Sequence, residues 1–561
     1  MAVRIYDALV ITLGATIHRQ MLRRHWPFGV LLAAGLALRV AAALAYRPAL
    51  VYIDTVRYLG GDQHGLDPLG YSYLLLRPML LAAGGGGLAG VAVVQHALGV
   101  AMAACLYALA IRHGLSRWLA AIAAAPVLLD AYQVQAEQMI MPDVLFESLI
   151  VAAAAVLLWR PDPGLARLAG GSALLGASAS VRQVGEVLVL PVLGFTLAAT
   201  RGGRRRATRA AAVTAVFALP VVAYMALSAA VLGNGFRLSN MDDAYLYGRV
   251  AHAADCASLR VPGYERPLCP SPAIAAVLGV DGLATNPRSD VFSYRPPADV
   301  TRGRTVLRFD QAVLTQQPLR VAGDIAGDAI KVFALTRNTT RGDPPVSRWQ
   351  FQLTYPVYYG VDYSVLGGGG GLGRGGGPGE GGAPGGVGAL GAGGKLASGG
   401  GLGGFRPQVV APLADVLRMY QLHGGFTPGP LLLVLLLIGT GGCLALRWHR
   451  DLGLGCVLVT GLAVAAVLGA DLYEFSWRYQ LPALVTLPLA GALGAAAFIR
   501  LAVTRWPEGR DRMILCTLTR LSPPTRRSER SRAASSTATT GSGCDATTSS
   551  AATARAARTP S

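Results

Sequence analysis

Apolar residues come in long unbroken blocks along this chain, not in the alternating or helical-face patterns of half-buried elements. Runs of roughly 18 or more apolar residues recur from Trp26 onward, and each can cross a bilayer as a helix. The segments 27–46, 88–111, 117–131, 142–159, 167–181, 184–200, 210–233, 428–446, 452–470 and 481–502 read as spans. They predict an all-α polytopic membrane protein with about ten transmembrane helices. Two stretches break the pattern. Residues 367–404 are Gly-rich and read as a flexible linker. From about 506 the chain is rich in Ser, Thr, Ala and Arg without apolar periodicity, and reads as a disordered tail.

The polar residues between the blocks set the orientation. His18, Arg19, Arg23, Arg24 and His25 precede the first block. With that end inside, Arg112 and Arg117, Arg160 and Arg167, Arg201 to Arg209, and Arg447 and Arg450 all fall in cytoplasmic loops. A miscounted span would have put one of these basic loops outside. The expected organisation is a cytoplasmic N-terminus at 1–26, a membrane module at 27–233, a long extracytoplasmic loop region at 234–427, C-terminal helices at 428–502, and a cytoplasmic tail at 503–561. Ala43-Leu44-Ala45 resembles a signal-peptidase site, but the block is long and further spans follow it, so an uncleaved anchor is expected.

Composition agrees with the membrane reading. The 561 residues are 52% hydrophobic and 14% charged, with mean hydropathy +0.43. Soluble domains carry about 25% charged residues. The net charge of +19 invites a nucleic-acid reading, which the scattering of the arginines into short loops argues against. Lys331 and Lys395 are the only lysines, and the Ala, Gly and Arg bias points to a GC-rich genome of the actinobacterial kind.

Acidic and aromatic residues collect on the opposite, outer side: Asp54, Asp67, Glu137, Asp471 and Glu474. Asp54 follows the first span closely, in Tyr52-Ile-Asp54-Thr-Val-Arg57-Tyr58. Burial near the membrane boundary raises a carboxylate's pKa and Arg57 lowers it, so Asp54 reads either as a proton acceptor or as a solvated loop aspartate. Asp143 and Glu147 lie one turn apart near the start of a span, where an uncompensated charge costs about 2.5–3.5 kcal/mol. Glu147 is the deeper of the two and needs a partner. Cys256 and Cys269 are the two cysteines of the outer region and predict a disulfide, with two free thiols as the alternative.

Several of these segments together resemble the GT-C superfamily of polyprenyl-phosphate-sugar glycosyltransferases. Asp54 and Tyr58 fit its Asp-x-x-x-Tyr pattern after the first helix. Pro68-Leu-Gly70-Tyr71 fits its Pro-x-Gly-Tyr-Pro element, with Ser72 where proline is usual. Glu137-Gln-Met-Ile-Met-Pro-Asp143 is similar to its second outer loop, Ser180-Val-Arg182-Gln-Val-Gly185 to its Arg-containing turn, and Arg478-Tyr479-Gln-Leu-Pro482 to the start of its last helix. The resemblance covers 27–200 and 470–502 and leaves 234–427 without a motif. It implies an extracytoplasmic active site in the cell membrane and sugar transfer with inversion to a cell-envelope glycan, lipid or protein hydroxyl. Asp54, Glu137 and Asp143 are then the catalytic candidates. Arg57, Tyr58, Tyr71, Arg182, Arg478 and Tyr479 are the substrate-binding candidates, because arginine forks onto phosphate. The paired acidic motif of some members is missing at Asp54, so no metal ligands are assigned, no cofactor is named, and a divalent cation stays open. The rival readings are a transporter or flippase of lipid-linked glycans, and a non-catalytic scaffold presenting 234–427.

Overall fold

The computed structural model of the protein describes residues 2–60, 67–82, 87–233, 235–356 and 407–505. The Gly-rich stretch at 367–404 and the tail from 506 onward lie outside the described residues. Apolar blocks become helices because a backbone away from water must satisfy its own hydrogen bonds. Among the described residues, six helices are long and apolar enough to cross a membrane: Arg24–Ala45, Gly87–Arg112, Gly203–Val231, Gly429–Arg447, Arg450–Tyr473 and Trp477–Val503. A seventh crossing results if Arg117–Leu129 and Ala131–Gln138, bent by 48° at their junction, count as one. The expected spans at 142–159, 167–181 and 184–200 fall on the helices Asp143–Leu158, Leu165–Val181 and Val189–Ala199, of 16, 17 and 11 residues.

Local chemistry explains several boundaries. The first helix runs Ala2–Ala45 and loses helical geometry at His25, two residues before Pro27. Proline cannot donate to the ladder and its ring crowds the carbonyl four residues back, so the helix breaks here and the apolar span effectively starts at this point. The bend between Arg117–Leu129 and Ala131–Gln138 sits at Asp130, whose carboxylate accepts from the backbone N–H of Tyr132 at 2.9 Å and of Thr427 at 2.6 Å. Asp130 thus caps the second helix and ties it to the chain entering a later span. Residues 132–141 were expected as an outer loop. Most of that stretch is helical instead, with Gln133, Gln135, Glu137 and Gln138 buried.

Apart from the short antiparallel pairing of β1 (Tyr46–Arg47) with β2 (Gln408–Val409) and a parallel bridge between Leu50 and Met139, regular structure among the described residues is helical. The membrane helices share one large apolar cluster. A second cluster joins the end of the first span, residues 131–141, Trp349, Phe351 and the last span. The outer segment packs its own core around Tyr247, Leu268, Phe309 and Val313, built from α1 (Asp242–Ala253), α2 (Pro272–Thr285), α3 (Arg302–Gln316) and α4 (Pro318–Lys331). Cys256 and Cys269 are joined there by a disulfide with Cα atoms 5.9 Å apart.

Candidate active site

The site forms where the first outer loop meets three other stretches. Asp54 lies in the first turn of the helix Ile53–Gly60. Thr55 holds that helix in place: its hydroxyl accepts from Tyr52 N–H at 2.9 Å and donates to Ile140 C=O at 2.9 Å. The backbone of Leu50 pairs with Gln138 and Ile140 at 2.9 and 3.0 Å, and Gln95 donates to the carbonyls of Glu137 and Met139. Two segments far apart in sequence are thereby stitched together. A third comes in at Gly70, where a Cβ would collide with the Ser180 carbonyl, so only glycine lets this loop sit against the turn that carries Arg182.

Asp54 is buried and receives two guanidinium groups, Arg57 at 2.7 Å and Arg478 at 3.0 Å. Burial alone would raise its pKa. The charges of Arg57 and Arg478, with Arg182 behind them, outweigh burial and hold the carboxyl below the ordinary carboxylate range. Arg57 is shared with Asp67 at 2.5 Å. Arg182 pairs with Asp143. The guanidiniums of Arg182 and Arg478 lie 5.1 and 5.2 Å from the Tyr479 ring centroid, so the two carboxylate–arginine pairs meet at one aromatic surface. The Tyr479 hydroxyl donates to Glu474 at 2.8 Å, and burial followed by the charge of Asp281 pushes Glu474 up to about 8.

The structure brings Asp54, Arg57, Asp143, Arg182, Arg478 and Tyr479 together. Tyr58 and Tyr71 are buried beneath them and meet edge to face at 5.4 Å, with the Tyr71 hydroxyl on Gln95 at 2.8 Å. Glu137 is fully enclosed by Arg39 at 2.7 Å, His96 at 2.9 Å and Gln133 at 3.4 Å. A Cβ at Gly99 would strike its carboxylate, so the helix Gly87–Arg112 needs glycine there. Gln133 is also the partner that Glu147 required, donating to it at 2.9 Å.

Several residues at the site were missed from sequence. Arg39 was legible as an arginine inside an apolar span, the kind of group that defaults to a specific role. Arg348, Trp349, Tyr245 and Asp281 come from the segment without a motif and gave no signal. Arg348 reaches the Tyr52 hydroxyl at 3.3 Å and Tyr245 reaches Asp281 at 3.4 Å. Among the described residues no group of three or more His, Cys, Asp or Glu is arranged to hold a metal ion.

The fold and its apolar helices define a multi-pass helical membrane protein. No family model and no curated protein sequence matches the chain. Solved structures similar to the chain include two of oligosaccharyltransferases. The crystal structure of the Archaeoglobus fulgidus oligosaccharyltransferase tethered with an acceptor peptide matches at 13% identity and a TM-score of 0.37, over 90% of this chain and 54% of that one. The archaeal oligosaccharyltransferase AglB from Archaeoglobus fulgidus, in complex with an inhibitory peptide and a dolichol-phosphate, matches at 13% identity and 0.34, over 89% and 54%. The chain spans about half the length of these structures, and likeness of this size has no weight in the chemistry that follows.

Proposed function

We infer that this chain is a membrane glycosyltransferase that moves a hexosyl or pentosyl group from a polyprenyl-phosphate carrier to an acceptor hydroxyl, with inversion. The reading takes the cell membrane as location, about ten crossings and an extracytoplasmic site, on the positive-inside argument. Arg478 is the observation that carries it. From the start of the last span it reaches Asp54 just after the first, so a proton acceptor and a phosphate-binding cation share one site.

In this mechanism the acceptor oxygen bonds to the anomeric carbon from the face opposite the phosphate. The bond from that carbon to the phosphate oxygen breaks. The hydroxyl proton passes to Asp54, and the lipid phosphate departs with its charge held by Arg182 and Arg478. A carboxylate held low by two arginines is ionised but weakly basic. A donor phosphate that recruits Arg478 withdraws one of those cations, so Asp54 becomes a stronger base when the donor is in place. Asp143 orients Arg182, Arg57 and Tyr479 frame the phosphate side, and Tyr58 and Tyr71 form the floor. Glu137, enclosed by Arg39 and His96, supports the loop from behind.

A transporter or flippase of lipid-linked glycans is the second reading. The bent pair at Asp130, with Gln133, Glu137 and Glu147 buried beside it, favours it, because transporters use broken helices with polar groups at mid-depth. One measurement separates the two. Purified full-length protein, given polyprenyl-phosphate hexoses and pentoses with envelope acceptor, should release polyprenyl phosphate. Asp54→Asn should insert normally and transfer at least about 100-fold more slowly. Arg182→Ala should weaken donor binding as well as turnover, because it holds phosphate in the ground and transition states alike. Lipid movement without phosphate release would reject the transferase, whereas near-normal transfer by Asp54→Asn would remove Asp54 from the mechanism and move the base to Glu137 or Asp143.

A further inference from the structure

The helix Ala411–Leu422 falls by sequence in the outer loop region, yet its ties place it beside the first span. β2 runs antiparallel to β1, and Val410 N–H donates to Ala45 C=O at 2.9 Å. The chain therefore meets the last residue of the first span and turns back along it, and the two helices pack together. The far end of Ala411–Leu422 is fixed as well. The Tyr420 hydroxyl donates to Leu129 C=O at 2.6 Å, Gly425 C=O accepts from Ala131 N–H at 2.7 Å, and Thr427 N–H reaches Asp130 at 2.6 Å. Leu128 next to them packs on the first span: a Cβ at Gly35 would lie 3.0 Å from its carbonyl oxygen, and Arg39 donates to that carbonyl at 2.9 Å. Gly35 lies about 15 Å before Ala45 along a helix, and Ala411–Leu422 is about 18 Å long. The helix thus runs from the end of the first span, Arg24–Ala45, back to about its middle.

The surface of the helix agrees with that depth. Ala414, Leu417 and Gln421 are buried against protein, and Gln421 accepts from Phe351 N–H at 2.7 Å and donates to Trp349 C=O at 3.1 Å. On the other side Val416, Met419 and Leu422 are 64%, 51% and 40% exposed, three residues apart on one stripe. Leu36, Val40 and Leu44 are exposed on the first span. A helix with apolar residues on both sides has no favourable place in water. Its two charges fit a bilayer: Asp415 lies near the start, closest to the headgroups, and Arg418 donates to Phe351 C=O at 2.7 Å. The break that follows fits too. Gly424 takes φ +116, which favours glycine, and the bonds to Ala131 and Asp130 satisfy the non-helical backbone, as hydrocarbon requires. We propose that Ala411–Leu422 is a half-span sunk in the leaflet at the Ala45 end of the first span, with Val416, Met419 and Leu422 against lipid acyl chains. The long loop region then ends near 410 instead of 427. With Gly429–Arg447 the half-span makes one broken crossing, so the side on which the C-terminus lies is unchanged. This placement does not depend on what the site catalyses.

Photolabelling of the full-length wild type tests it. The protein is reconstituted in vesicles of phosphatidylethanolamine and phosphatidylglycerol with a trace of phospholipid carrying a diazirine midway along one acyl chain. After illumination, peptide mass spectrometry should find lipid adducts on 416–422 as well as on 36–44, which serves as the internal reference. Adducts on 36–44 with none on 416–422 overturn the half-span. A charged maleimide that cannot cross the bilayer, supplied on both sides and read peptide by peptide, gives a second measurement. Met419→Cys should react at least about tenfold more slowly than Arg308→Cys on the exposed side of α3, because a thiol in apolar surroundings stays protonated. Equal rates would place the helix in water. Slow reaction without lipid adducts would mean that a second copy of the chain covers it. Either result overturns the proposal.

Discussion

Arg478 serves several neighbours at once: it bonds Asp54, lies over the rings of Trp349 and Tyr479, and keeps Nε free. A guanidinium can do this because its donors point in fixed, separate directions. Asp310 in α3 shows the opposite condition. It is 1% exposed and neither of its oxygens has a partner. Burial, reinforced by the Asp243 carboxylate, pushes it up to about 8. The sign of the linkage follows. Below the ordinary value of 3.8 the group is neutral folded and unfolded, so it costs nothing. As pH rises from there to about 8, the unfolded chain ionises more readily than the folded one, and stability falls. Melting of the wild type across pH 4 to 9 should therefore show a decline that Asp310→Asn flattens. Parallel curves for the two proteins would mean that Asp310 is solvated or paired in solution.

The helix Ala131–Gln138 is the element on which the site depends most. Its buried glutamines and Glu137 reach the first span, the helix Gly87–Arg112 and Glu147, so one short polar helix fixes the loop that carries Asp54. A helix of this length is not stable alone, and tertiary contacts hold it. The outer segment is secured differently. Its small core around Phe309 is closed by the Cys256–Cys269 disulfide, with a sequence separation of 13, and by the Tyr247 hydroxyl on Leu268 C=O at 2.8 Å. Loop closure of this size is worth about 3 kcal/mol. Reduction, or Cys256→Ser with Cys269→Ser, should make 242–331 markedly more protease-sensitive while the membrane helices stay resistant. Unchanged proteolysis would show that packing alone holds the segment.

At the scale of the whole molecule, the one-sided arginines carry the orientation. Both termini are predicted to be cytoplasmic, because Arg112, Arg160, Arg201 and Arg447 then share one side. A phosphatase or fluorescent reporter fused after Arg510 checks this. Cytoplasmic fluorescence is the expected result, and phosphatase activity there would mean an odd number of crossings. The count itself is sensitive to Asp143–Leu158, Leu165–Val181 and Val189–Ala199, which are apolar but short.

The sequence by itself marked the apolar blocks that become membrane helices, because runs of apolar residues in a chain this poor in charge have one way to satisfy their backbones. It also marked Asp54, Asp143, Arg182 and Arg478, since charged groups at span ends stand out against that background. The pairings were beyond it. Asp54 with Arg478 is a contact across 424 residues, and Trp349 comes from a segment that carries no motif. The break at Asp130 looked like a span end, because only the fold brings Thr427 to its carboxylate and turns the next eight residues into a buried helix. Local pattern reports local free energy. Which carboxylate faces which guanidinium depends on how the helices pack, and that is decided by tertiary structure.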